Sequence, residues 1–401
     1  MRSFLIGLLL LLTACGQAQG GAQSSPLALV TQSPTATPAT SPPMSPMPTS
    51  PGPLLFAVLE AKTPGSPYAW NTVAIAGLDG YARAKATFIP LPSPDLGCMG
   101  SVLPPSAHVA AGRVYFADGK GVVRSLSTTG QVTTVATFPL TTSQQMLSFA
   151  VSPDGSHLLG AVLTVPAKYF SCSSSPSAGS LSLDVYSAQD GGASTLLYHQ
   201  SLSDASKVMA LTGWDAVGPL GTYPTVWASQ GGGPGSTLGV AARIAANTGK
   251  VLGQVADPNV CQVWDMAPSG DYVCLGAPVS NSAGTYDTTA SLHAVNGAEI
   301  SHFSVATPDG SACCPFVAPD EQHMVASAHY VSVVSASDGT RFNLGSSVPG
   351  NQFSAAGWLD SATVIGAVSS SSQNLAFVRL GTPGTAISLG FPGKFLGTVN
   401  R

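Results

Sequence analysis

Charge is what this chain has least of. Only 8% of its 401 residues are Asp, Glu, Lys or Arg, against about 25% in ordinary soluble proteins. The net charge of −4 is spread without a block of one sign, so there is no electrostatic footprint for nucleic acid or anionic lipid. Solubility must rest on Ser, Thr, Asn, Gln and exposed backbone. The apolar run at residues 4–12 is too short for a membrane-spanning helix, which needs about 20 residues. Long helical periodicity is missing after residue 53, which points away from α and α/β folds. Recognisable catalytic spacing is missing too. There is no G-x-S-x-G elbow, H-E-x-x-H, Walker loop, D-x-D-x-D-G calcium loop or C-x-x-C, and the glycine-rich SQGGGPGST lacks the G-x-G-x-x-G spacing. The seven histidines are scattered: His108, His157, His199, His293, His302, His323 and His329. The reading leans away from an enzyme, with no cofactor, no metal and no nucleic-acid partner expected.

The N-terminus reads MRSFLIGLLLLLTAC: one basic residue, a short apolar core, then a small-residue site before Cys15. This is the build of a secretory signal. Leu12-Thr13-Ala14-Cys15 resembles the lipobox of bacterial lipoproteins. The resemblance implies cleavage before Cys15 and lipidation of that cysteine, with residues 1–14 as the signal peptide and the lipid bilayer as a partner. The expected address is the outer face of the cell membrane or an outer membrane; an unlipidated secretory signal is the alternative. Residues 16–53 hold no charge and are dominated by Pro, Ser, Thr, Ala, Gln and Gly. Such a stretch cannot bury enough apolar area to offset its ordering entropy. Residues 15–53 are therefore expected to be a disordered anchor linker, reaching on the order of 100 Å.

After residue 53 a short run rich in Val, Leu, Ser and Thr recurs, followed by a turn ending in Gly and a second such run. There are seven copies, among them TVAIAGLDGYARAKATF, VVRSLSTTGQVTTVATF, AARIAANTGKVLGQV and ASLHAVNGAEISHFSV. Their turn glycines are Gly80, Gly130, Gly191, Gly249, Gly297, Gly339 and Gly384, spaced 42 to 61 residues apart. A tight hairpin needs positive φ, which glycine adopts freely. A second hairpin falls within each period: FAVSPDGSHLLGAV is echoed by MAPSGDYVCLGA, VAPDEQHMVASA and GWLDSATVIGAV, and more weakly by AAGRVYFADG and GWDAVGPLGTYPTVWAS. Two hairpins per period is the pattern of a four-stranded propeller blade.

These copies resemble the TolB-type and WD-type repeat families, with Ser152-Pro153-Asp154-Gly155 as the one full match to their turn and no Gly-His to Trp-Asp pair. The resemblance covers roughly residues 54–401. The expected fold is all-β, a seven-bladed β-propeller, with six or eight blades as alternatives. The first blade shows only three candidate strands, and KFLGTVN is left over at the C-terminus. We expect that strand to complete the first blade and close the ring, which removes exposed sheet edges.

Setting Cys15 aside leaves Cys98, Cys172, Cys261, Cys274, Cys313 and Cys314, an even number that favours disulfides in an exported chain. On the expected strand map all six fall toward one side. The preferred pairing is Cys98 with Cys172, and Cys261 and Cys274 with the Cys313/Cys314 pair in either order; a zinc or redox centre at Cys313-Cys314 is the alternative. The same face carries the longer insertions, and binding tends to reside in long loops on a rigid scaffold. Its candidate ligand-binding residues are Tyr68, Tyr169, Tyr286 and Asp287, with Asp257 and Asp309 on inter-blade loops. Trp214, Trp227, Trp264 and Trp358 read as packing residues of inner strands, and Asp215 and Asp265 as turn or strand-end residues that bond to backbone. The functional expectation is a membrane-tethered scaffold that binds a protein or an envelope polymer. A propeller-fold dehydrogenase, lyase or hydrolase is one alternative, and an accessory or sensor subunit of a membrane complex the other.

Overall fold

A computed structural model of the chain describes residues 54–61, 70–92, 107–166, 180–189, 191–203, 207–224, 239–307, 313–327, 331–335, 341–343, 353–368, 374–381 and 386–399. Among them there is no α-helix. The strands form seven separate sheets in a propeller arrangement. Six sheets open on their own first strand: Ala107–Ala110, Gln145–Val151, Ala210–Trp214, Gln262–Met266, Cys313–Val317 and Phe353–Asp360. In the first sheet that position is taken by the C-terminal strand Lys394–Thr398, which pairs antiparallel with Leu55–Ala61 in the register Phe56 to Thr398 and Leu59 to Lys394. The Thr398 hydroxyl also donates to the Leu359 carbonyl of the seventh sheet at 3.0 Å. The leftover strand thus ties the first described strand to the last.

Turn chemistry explains the hairpins. The five described outer-turn glycines, Gly80, Gly130, Gly191, Gly249 and Gly297, all have φ between 68° and 86°. Gly339 and Gly384 lie outside the described residues. At the inner turn of the third sheet the Gly155 N–H donates to the Ser152 carbonyl at 2.8 Å. Asp154 Oδ1 accepts from the Ser156 N–H at 3.1 Å, and the Ser152 hydroxyl oxygen accepts from the His157 N–H at 3.0 Å. These bonds satisfy backbone groups that the tight turn would otherwise strand. Gly155 has φ 74°, and a Cβ there would lie 2.3 Å from the Tyr115 hydroxyl of the second sheet. Two separate demands, backbone conformation and close approach, require glycine.

Packing follows the ring. Strand alternation sends one set of apolar side chains to each face of a sheet, and each set meets the next sheet. Leu55, Ile75, Val114 and Phe116 join the first and second sheets, while Phe138, Leu147, Phe149 and Leu158 join the second and third. Leu163, Val185, Leu211 and Ile244 join the third and fourth, and Ala241 packs on Val263 and Tyr272 between the fourth and fifth. Leu292, Phe303 and Met324 join the fifth and sixth, and Val325, Trp358 and Val364 the sixth and seventh. Phe56, Val58, Leu359, Ile365 and Phe377 bring the seventh back to the first. Small residues permit the contact: a Cβ at Gly160 would lie 2.5 Å from the Phe138 ring.

Two short strands have no counterpart in the sequence reading. Gly192–Ala193 lies parallel to the outer strand Val132–Thr137 of the second sheet, covering an edge that would otherwise stay open. Val279–Ser280 pairs with Asp287 and Tyr286.

Candidate binding face

Antiparallel pairing fixes which loops share an end of the ring. Connections between sheets and those joining second to third strands emerge together, opposite the tight turns. This is the face that the sequence marks as the binding face. Of its candidates, Tyr68, Tyr169 and Asp309 lie outside the described residues, as do Cys15, Cys98 and Cys172.

Asp257 is exposed and builds a turn. Its Oδ1 accepts from the Asn259 N–H at 2.9 Å and from Asn259 Nδ2 at 3.0 Å, and its carbonyl accepts from the N–H groups of Val260 and Cys261. Tyr286 and Asp287 are not loop residues: they begin the strand Tyr286–His293, with Tyr286 opposite Thr307 and Asp287 opposite Ala306. The intervening turn is held by Asn281 Oδ1, which accepts from the Ala283 and Thr285 N–H groups at 3.0 and 3.1 Å. Among the described residues no hydrogen bond or ion pair joins Asp257 to Tyr286 or Asp287.

The cysteine pairing differs from the expected one. Cys261 is bonded to Cys274 with a Cα separation of 5.1 Å, not to Cys313 or Cys314. The reason is local: Val263 lies opposite Cys274 across a hairpin, so Cys261 sits diagonally from it on the same ladder. Cys313 and Cys314 begin the first strand of the sixth sheet, and their side chains lie outside the described residues.

Asp215, Asp118 and Asp265 hold the backbone in place. Asp215 is 4% exposed; its Oδ1 accepts from the Val217 and Gly218 N–H groups at 2.8 and 3.1 Å, the backbone role expected of it. It also pairs with Arg243, which the sequence reading missed, since no spacing signal joins residues on different strands. Asp118 is built the same way, accepting from the Lys120 and Val122 N–H groups and pairing with Arg124. Asp265 accepts from the Val317 N–H of the next sheet at 3.0 Å. Trp358 is buried and donates to the Phe316 carbonyl at 3.1 Å, a packing role. Trp227 and His329 lie outside the described residues. Among those described, no three His, Cys, Asp or Glu side chains converge as a metal site.

Large apolar side chains are conspicuous around the fifth sheet. On the loop face Val260 is 75% and Val279 66% exposed, and Tyr286 pairs with Ser280, next to Val279; Leu252, 71% exposed, lies near the tight-turn end of the fourth sheet's outer strand Val251–Gln254.

No protein-family description matches the chain, and no curated protein matches it. Solved structures do resemble it. An oligogalacturonate lyase in complex with manganese aligns at 10% identity and TM-score 0.46 over 77% of this chain and 82% of its own. The Dos1 propeller aligns at 12% identity and TM-score 0.43 over 84% and 87%. The Myceliophteria thermophila Cps50 (Swd1) propeller domain aligns at 11% identity and TM-score 0.42 over 73% and 88%. The propeller arrangement of this chain rests on its own sheet order.

Proposed function

We propose that the protein is an exported, lipid-anchored binding scaffold whose seven sheets are the seven blades of one propeller. The observation that carries the reading is the exposed apolar pair Val260 and Val279 on the loop face of a chain so poor in charge. Interface cores lose charged residues and gain apolar and aromatic ones, and exposed apolar surface of this kind marks a contact site. Tyr286, at 38% exposure, supplies the amphipathic ring that such sites favour. The partner is a protein of the envelope, met at the end of a long tether from Cys15. Two acids on the face support the same reading, because Asp257 is committed to a turn and Asp118 to a turn and an ion pair.

Photo-crosslinking in the native membrane tests this. A crosslinking residue at Val260 or Val279 is expected to give one discrete protein adduct, which the same residue at Tyr81, an equally exposed apolar position on the first sheet, does not give. Adducts at all three positions, or at none, would overturn the proposal.

A further inference from the structure

Two histidines that sequence spacing scatters meet one serine on the fifth sheet. In the strand Tyr286–His293, Ala290 and Leu292 are buried against the sixth sheet, so alternation turns Ser291 and His293 the other way, toward the fourth. Cross-strand register adds their neighbours on that face. Tyr272 lies opposite His293, with the two rings stacked at 5.2 Å between centroids, and on the outer strand Glu299–Thr307 His302 lies opposite Ser291. Ser291 therefore has one imidazole two residues along its own strand and another across its ladder.

Proton positions follow from the partners. His293 Nδ1 lies 3.3 Å from the Gly297 carbonyl and Nε2 2.8 Å from the Ser291 hydroxyl. A carbonyl only accepts, so in the neutral ring Nδ1 carries the hydrogen, and the bare Nε2 accepts from the Ser291 O–H. This is a nucleophile bonded to a base whose tautomer a third group holds. Contact between serine and histidine is not enough by itself. Ser156 Oγ is 2.7 Å from His157 Nδ1, but the Ser156 hydroxyl donates to Asp154 Oδ2 at 2.8 Å, so its one hydrogen is committed to the carboxylate. His302 adds a second arrangement: its Nδ1 is 2.6 Å from Glu299 Oε1, which leaves Nε2 open to a ligand.

Access comes from unequal strands. The fourth sheet's outer strand Val251–Gln254 has four residues against nine in Glu299–Thr307, too few to cover the whole of the facing strand. The His302 side chain is 62% exposed, and a Cβ at Gly253 would meet nothing within 4 Å. Ser291 itself is 7% exposed, which admits a slim acyl group and excludes a bulky one. We propose that Ser291 is an acyl-accepting nucleophile, with His293 as its general base, acting on small carboxylic esters. The Ser291 oxygen bonds to the ester carbonyl carbon while its proton passes to His293 Nε2. The bond from that carbon to the alkoxy oxygen then breaks, and the leaving alcohol takes the proton. Water attacks the acyl-serine along the same route, its proton passing through Nε2 to the Ser291 oxygen as the acid leaves. In its protonated form His302 offers an N–H to the developing oxyanion. The site uses neither Val260 nor Val279, so it stands apart from the docking surface.

The test treats the intact protein with a fluorophosphonate probe and, separately, with p-nitrophenyl acetate, and maps the modified serine by mass spectrometry. A phosphonyl group from the first and an acetyl group from the second, both on Ser291, are the expected results, with Ser156 unmodified. His293→Gln should slow labelling of Ser291 by at least about 100-fold, the low end of what a positioned base contributes, and Ser291→Ala should abolish it. If either variant does not fold, the comparison of Ser291 with Ser156 in the wild-type protein decides. No adduct on Ser291, equal labelling of the two serines, or a rate unchanged in His293→Gln overturns the proposal.

Discussion

Arg243 Nη1 lies 2.6 Å from both carboxylate oxygens of Asp215, across two strands of the fourth sheet. Its Nη2 donates to the Gly270 carbonyl at 3.2 Å, so one guanidinium joins the fourth sheet to the inner turn of the fifth. The Arg243 side chain is 16% exposed and that of Asp215 4%, which places the pair outside the regime where surface ion pairs contribute little. Removing one partner leaves the other charge buried, so Arg243→Met should lower the unfolding free energy by about 3 kcal/mol. The midpoint of denaturant unfolding checks this, and a loss below about 1 kcal/mol would mean that water already screens the pair.

The Ser-Pro-Asp-Gly turn gives a pH signature. Hydrogen bonds from the Ser152 hydroxyl first, then from the Ser156 backbone and hydroxyl, hold the Asp154 carboxyl at about 2 against an ordinary 3.8. The folded value is the lower one, so the folded state binds fewer protons and its advantage is present above pH 3.8. That advantage is lost as pH falls toward 2. The Tm difference between wild type and Asp154→Asn should be constant near neutrality and shrink between pH 4 and 2. A difference that does not change over that window would show that the turn does not depend on the charge.

The sixth sheet breaks the turn rule at one residue. Where the third sheet has Gly155 at φ 74°, the equivalent turn has Glu321 at φ 58°. A residue with a Cβ costs roughly 1–2 kcal/mol in that region, and glycine returns part of that through unfolded-state entropy, roughly 0.5–1 kcal/mol. Glu321→Gly should therefore stabilise by up to about 1 kcal/mol, while Gly155→Ala should destabilise because its Cβ meets Tyr115. Calorimetry on the two variants should give Tm shifts of opposite sign.

Peptide mapping of the unreduced protein should recover Cys261 linked to Cys274. The bridge spans 13 residues, a loop for which reduction or a double Ser replacement costs about 3 kcal/mol. A linked peptide joining Cys261 to Cys313 or Cys314 would contradict the structure.

The parts of this fold legible in the sequence are those dictated by single residues. Gly80, Gly130, Gly191, Gly249 and Gly297 mark the outer turns because positive φ is a local demand. KFLGTVN could be placed because the first repeat lacked a strand. The Asp215 to Arg243 pair was not legible, since its members are 28 residues apart and meet through strand order alone. Gly192–Ala193 is too short to carry a pattern and exists because a neighbouring edge accepts it. The disulfide did leave a signal: Cys261 and Cys274 flank the Pro268-Ser269-Gly270 turn, and a hairpin there brings them together.

The most direct test of the scaffold reading is the mass of the protein taken from its own membrane, under native and then denaturing conditions. The account predicts a lipid-modified chain beginning at Cys15 that carries a partner protein under native conditions and sheds it on denaturation. A chain that carries no protein but holds a metal ion or an organic cofactor would contradict the scaffold and point to an enzyme.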